Sequence, residues 1–215
     1  MPLQNRVTPF GEIVAVSLRG LLMGNRGGRL HDPATKTLGG RRWVSKQWIS
    51  CRLEFGGRHR EVMGRGYTEL FFLDEVTALA AGHRPCHLCR RPQALAFGDA
   101  WRIARGLDRP PHAPEVDRVL HGERTPIGMR PDFLQPFPDL PDGTMVALPS
   151  DDPGAPAAWR SWAVRGGSIH RWDHAGYVER RPRPQHDLAF PLTPPALIEV
   201  LRAGYEPLWH PSVAG

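Results

Sequence analysis

The 215 residues suffice for one large domain or two small ones, too many for a disulfide-stapled peptide and too few for a multidomain machine. With 40% hydrophobic and 23% charged residues, the chain has neither the depleted apolar content of a disordered segment nor the excess of a membrane bundle. Its net charge of +6 is carried by arginine, because Lys36 and Lys46 are the only lysines among 28 basic residues, and arginine is the side chain that forks phosphates and stacks on rings.

The charge is unevenly placed. Residues 1–110 hold 18 basic and 9 acidic side chains, net +9, whereas residues 111–215 hold 10 and 13, net −3. Only 5 of the 23 prolines precede residue 110. The stretch Arg109 to Pro114 carries three prolines that cannot sit inside a helix or central strand, so a domain boundary is expected there. Met1 to Arg6 lacks the pattern of a secretory signal, and Ile13 to Met23 is cut by Arg19 and far shorter than the ~20 residues of a membrane span. A cytoplasmic protein is the expectation, and three cysteines in such a chain point to metal or redox use rather than a disulfide framework.

In chain order, Glu12 to Leu18 reads as a strand, and Gly24 to Arg29 as a glycine-rich basic loop. Trp43 to Phe55 is extended, and Gly56-Gly57 followed by Arg58 to Met63 has the pattern of a hairpin with a two-residue turn. Tyr67 to Leu73 is strand-like. Asp74 is a plausible N-cap of a helix through Ala81, stopped by Gly82. Pro92 fits the first turn of the next helix, whose Ala94, Phe97, Trp101 and Ala104 share one face before Gly106 ends it. Val116, Val119 and Leu120 suggest another short helix. Thr144 to Leu148, Trp159 to Arg165 and Ser168 to Trp172 read as short strands, and Arg180 to Pro184 as a solvated linker. Thr193 is the expected N-cap of a last helix carrying Leu197, Val200 and Leu201 and closed by Gly204. The chain therefore reads as α+β: a zinc-stabilised strand and helix domain over residues 1–110, then a mixed, β-rich part over 111–215 with a C-terminal helix.

The strongest chemical signal is Pro85-Cys86-His87-Leu88-Cys89, since two thiolates three residues apart at a tight turn can both point at one tetrahedral ion; core or redox thiols are the plainer alternative. The hairpin at Gly56-Gly57 pairs Cys51 with Val62 and places Cys51 on the face opposite His59, which demotes His59 as a ligand. The knuckle residue His87 points outward, and His83 is a rival. The ligand set expected is Cys51, Cys86, Cys89 and His31.

Residues 78–91, ALAAGHRPCHLCRR, preceded by Tyr67 to Leu73 and a helix start, resemble the second half of the zinc domain of the bacterial Ada family, a module that contacts DNA backbone and also occurs attached to nucleases. The resemblance covers about 25 residues and implies zinc on Cys86 and Cys89 together with a tendency to bind nucleic acid. It departs from the family upstream, where a pair of closely spaced cysteines is represented by Cys51 alone, and His83 stands at a phenylalanine-like packing position. The methyl-accepting chemistry of Ada is not carried over. Pro-Cys-x-x-Cys also ends the nucleobase-deaminase signature, but Cys51-Arg52-Leu53-Glu54 is one residue too long for its first half and His121-Gly122-Glu123 lies on the wrong side of the pair.

Gly24 to Arg29 offers backbone N–H groups and guanidiniums to a phosphate, and Arg41-Arg42-Trp43 and Lys46-Gln47-Trp48 interleave cations with aromatics. Arg26, Arg29, Arg41, Arg42, Lys46, Arg84 and Arg90 are therefore the candidate contacts to a nucleic acid, expected to be DNA, with a salt-dependent affinity. Two polar clusters, His121 with Glu123 and His170 with Asp173 and His174, are candidate catalytic groups. The expected function is a zinc-containing DNA-binding protein of repair or processing. The alternatives are a metal-dependent nuclease, glycosylase or other nucleic-acid-modifying enzyme using the C-terminal groups, and a protein-interaction module stapled by zinc.

Overall fold

Two six-stranded sheets and four α-helices frame the residues described by the computed structural model, which are 1–57, 61–124, 134–150 and 158–214. The class is α+β. The first sheet holds β1 (Gln4–Val7), β2 (Ile13–Ala15), β3 (Leu22–Arg26), β4 (Trp48–Arg52), β5 (Leu70–Phe72) and β6 (Arg84–Pro85) in the order β2-β1-β5-β3-β4-β6. It is mixed: β1 with β5 and β4 with β6 run parallel, while the other neighbours are antiparallel. The second sheet is antiparallel throughout, with β7 (Gln135–Pro136), β8 (Met145–Pro149), β9 (Trp159–Arg165), β10 (Ser168–Asp173), β11 (Gly176–Pro182) and β12 (Leu188–Pro191) in the order β11-β10-β9-β8-β12-β7.

The helix α1 (Glu75–Ala80) starts where expected. Asp74 caps it, accepting the Thr77 N–H at 2.9 Å, and Gly82 stops it at φ +77°, a conformation that favours glycine. All six of its residues are buried. Ala78 and Ala81 pack on Leu22, Leu70 and Phe72 of the first sheet. Val76 and Ala80 meet Met145, Ala163 and Tyr177 of the second. Leu79 enters the core shared by α2 (Arg91–Arg105), α3 (Ala113–Glu123) and α4 (Pro195–Arg202). In α2, Ala94, Phe97 and Trp101 form the buried stripe and Gly106 closes the helix at φ +59°. Hydrophobic clusters thus join residues on both sides of position 110.

Several local expectations give way to the observed pairing. Gly24 to Arg26 belong to β3 rather than to a loop, and Gly24 is needed there because a Cβ would stand 2.1 Å from the Ile49 carbonyl oxygen. Cys51 pairs with Met23, not with Val62: β4 takes β3 and β6 as its neighbours instead of turning back on residues 61–63. Arg58, His59 and Arg60 of the expected hairpin lie outside the described residues. Arg180 to Pro182, expected in a linker, end strand β11. Thr193 is not the cap of α4; Pro194 occupies that position, and the Thr193 hydroxyl accepts the Met145 N–H at 2.9 Å, tying the helix start to β8. No helix among the described residues is long and apolar enough to cross a membrane.

Asp74 also accepts the Thr77 hydroxyl at 2.8 Å, the Tyr177 hydroxyl at 2.8 Å and the His210 N–H at 3.1 Å, while burial pushes its carboxyl above the usual range. Replacing Tyr177 by Phe removes one donor from a carboxylate that water cannot reach. The expected loss is about 1–3 kcal/mol in urea unfolding, with an unchanged m value; an unchanged midpoint would show that the bond contributes nothing.

Candidate metal centre and basic surface

The parallel pairing of β4 with β6 brings the three cysteines together. Ile49 stands beside Arg84 and Ser50 beside Pro85, so the next residues, Cys51 and Cys86, leave the two strands as neighbours. The Cys86 N–H extends this ladder by donating to the Ser50 carbonyl at 3.0 Å. The chain then turns tightly, with the Arg90 N–H donating to the Cys86 carbonyl at 3.0 Å, and Cys89 comes back onto the same spot just before α2 begins at Arg91. The three Sγ atoms lie within 4.8 Å of one another. Cys86 and Cys89 are buried and Cys51 is half-buried, while His87 and Leu88 face solvent at the tip of the turn.

The donor set fits a thiophilic ion. Zinc–thiolate bonds of ~2.3 Å place two sulfurs of a tetrahedron roughly 3.8 Å apart, which the observed spacing reaches with small side-chain rotations. The electrostatics favour a thiolate. Hydrogen bonds from Cys51 and Cys89, with backbone N–H groups of Cys89 and Leu88, hold Cys86 well below the usual thiol range, against burial. Cys51 is pushed up in turn by its hydrogen bonds to Cys86 and Cys89 and by burial. The N-terminus of the 15-residue α2 lies one residue beyond Cys89 and adds positive potential to the turn.

His31 is not a fourth member. Its two ring nitrogens are within hydrogen-bonding distance of the Thr68 hydroxyl (2.6 Å) and the Gly64 carbonyl (2.8 Å), so it fastens the 28–31 segment to residues 64–68. The rival His83 is fully buried, against the rings of Trp48 and Phe72, with centroids 5.1 and 4.7 Å away. Among the described residues, the three cysteines are the one group of three or more His, Cys, Asp or Glu side chains close enough to share an ion.

The basic residues divide in two. Arg26, Arg84 and Arg90 are buried and cannot present a surface to DNA, which corrects their expected role. Arg84 makes a bidentate pair with Asp117 of α3, at 2.8 and 2.9 Å. Arg90 donates to Glu75 at 2.6 Å and to the Ser50 hydroxyl at 2.9 Å. Arg26 lies over the Trp48 ring, 4.1 Å from its centroid. Arg29, Arg41, Arg42 and Lys46 are exposed, and Arg29 and Arg41 line an open cavity of about 610 Å³ with His31, Asp32 and Gly39. Trp43 stands beside them, 40% exposed, with its edge toward the Trp48 and His121 rings.

The expected catalytic clusters are not assembled as such. Glu123 accepts the Ala196 N–H at 2.9 Å and so caps α4 from α3. His121, on the same helix, packs its ring against Trp43 at 5.6 Å. His170 is buried beside Tyr177, Asp173 accepts the Ala175 N–H at 3.0 Å in the β10–β11 turn, and His174 packs on Trp172 at 4.7 Å. The sequence search missed Asp117, Glu75 and Ser50, the partners that hold the arginines around the cysteine turn; a polar residue on an otherwise apolar helix face was the available signal at Asp117.

No protein-family model, curated protein or solved structure matches this chain. The cysteine geometry makes its own prediction. Purified protein is expected to carry one equivalent of metal, and Cys51→Ser, Cys86→Ser and Cys89→Ser each to lose it, with about 3 kcal/mol or more of stability. Elemental analysis and chelator-dependent melting check this; a Cys86→Ser variant that melts with the parent removes the metal centre.

Proposed function

We propose that the chain is a zinc-stapled DNA-binding protein of repair or processing. Zinc on Cys51, Cys86 and Cys89 cross-links the end of β4 to the turn before α2, a structural role for which thiolate-rich sites are suited. Three cysteines without disulfide partners fit a reducing compartment, which we take to be the cytoplasm. The resemblance of residues 78–91 to the Ada zinc domain supports both the metal and the partner.

The observation that carries the reading is the cavity lined by Arg29 and Arg41, with exposed Arg42, Trp43 and Lys46 following Arg41 in the chain. Guanidiniums along a groove neutralise phosphates, and an exposed indole beside them stacks on a base, a combination that binds nucleic acid with little sequence preference. The buried arginines do not line this exposed groove.

Affinity for a short DNA measured against salt tests this. Arg41→Ala with Arg42→Ala is expected to weaken binding for all sequences alike and to lower the slope of log K against log[salt] by about two, whereas Arg102→Ala with Arg118→Ala on the helical side leaves it unchanged. Equal losses from both pairs would place the binding surface elsewhere. Absence of affinity even at low salt would leave a zinc-stapled protein-interaction module.

A further inference from the structure

Arg26 is fully buried, and a buried guanidinium ordinarily has a carboxylate partner. Arg84 and Arg90 have theirs; Arg26 makes no ion pair among the described residues. It donates through Nη2 to the Gly11 carbonyl at 2.9 Å and through Nε to His83 Nε2 at 3.4 Å, and its Nη1 has no partner. Arg124 lies against the same Trp48 ring, 4.1 Å from its centroid, donating to the carbonyls of Gly82 and Lys46 while its Nε has no partner. Its own ion-pair candidate, Asp117, is taken by Arg84 in a bidentate pair. Burial first, then the charges of Arg124 and Arg42, pull Arg26 down to about 9. Burial, then the charges of Arg26 and Arg124, push His83 well below the ordinary imidazole value. The surplus is thus positive, local and incompletely hydrogen-bonded.

We propose that Arg26 and Arg124, with exposed Arg42 at the entrance, bind a phosphate group beneath the loop of residues 41–47. That loop covers Arg26 through the Val44 N–H, which donates to the Arg26 carbonyl at 2.9 Å, and through Lys46, whose carbonyl accepts from Arg124. The Val44 contact is a backbone bond, and the Lys46 carbonyl takes the Arg124 side chain. The Ser45 N–H also donates to the Arg26 carbonyl at 3.4 Å, and the Ser45 carbonyl accepts from Trp48 Nε1 at 3.1 Å. None of these bonds belongs to the β3–β4 ladder, so lifting the loop opens the site without disturbing the sheet. A phosphate oxygen accepts from Arg26 Nη1 and Arg124 Nε, the two donors left over, and its charge offsets the two cations. The phosphate is either a free ion or the end of a nucleic-acid strand, and the inference stands without the DNA reading.

Inorganic phosphate is the first probe. Wild-type protein is expected to melt about 5–10 °C higher at a phosphate concentration roughly a hundred times the Kd than in chloride of equal ionic strength. Arg42→Ala, an exposed substitution, raises the phosphate needed for half the shift by about tenfold. Arg26→Met fills the same space without the charge and abolishes the shift; should it fail to fold, the Arg42→Ala titration decides. The second probe is a short oligonucleotide with a 5′-phosphate against the same strand with a 5′-hydroxyl. Tighter binding of the first identifies a strand end, and phosphate stabilisation without that preference identifies a free ion. The inference is overturned if wild-type protein shifts no further in phosphate than in chloride, or if both variants shift like the wild type.

Discussion

Two adjacent buried carboxylates, Asp74 and Glu75, hold the molecule together at the start of α1. A carboxylate removed from water has to recover the bonds it gives up, and these two recover them from neighbouring residues and from the C-terminal part of the chain. Asp74 takes donors from its own helix, from Tyr177 on β11 and from His210 near the C-terminus. Glu75 takes Arg90 before α2, the Tyr205 hydroxyl at 2.7 Å and the Leu208 N–H at 2.9 Å. Six residues of helix cannot be stable alone. This one persists because its first turn is a polar junction and the rest of its surface is divided among three hydrophobic clusters.

The cysteine centre inherits its geometry from that junction. Arg90 is the residue after Cys89, and Ser50 is the residue before Cys51; the Arg90 guanidinium holds the Ser50 hydroxyl with one nitrogen and Glu75 with another. Both cysteine-bearing segments are therefore clamped next to their sulfurs by one side chain anchored in the core. The three thiols are placed by the fold before any ion arrives, which is what a half-buried site requires if it is to keep its shape.

Features decided within a few residues were legible in the sequence. The Asp74 cap, the left-handed stops at Gly82 and Gly106, the apolar face of α2 and the strands at Trp159 and Ser168 follow from local stereochemistry and periodicity. The Cys-x-x-Cys turn belongs with them, since its spacing carries its geometry. Cys51 was found for an incomplete reason: its neighbour is the parallel strand β6, 35 residues away, and parallel pairing leaves no signature in the intervening sequence. His31, just after the basic loop, is the fourth ligand expected from the sequence, whereas Thr68 and Gly64 engage both of its nitrogens.

The charge asymmetry between the halves is in part an internal matter of the fold. Arg84, counted in the basic half, is neutralised by Asp117 of the acidic half, and the 110–114 prolines that suggest a boundary lead into α3, the helix that brings Asp117 there. Such a pair sets one cation of the basic half against one anion of the acidic half, so part of the asymmetry in sequence is neutralised in space. Apart from the pairs made by Arg84 and Arg90, two sets of positive charge stand out. One is the exposed set at Arg29, Arg41, Arg42 and Lys46, where water screens each cation and keeping it costs little. The other is the buried pair Arg26 and Arg124 on Trp48, where stacking on an indole face offsets only a small part of the desolvation of a guanidinium. Exposed charge is cheap to keep without a purpose; buried charge lacking an acid is not, and it is there that the sequence has accepted a destabilising arrangement that an anion relieves.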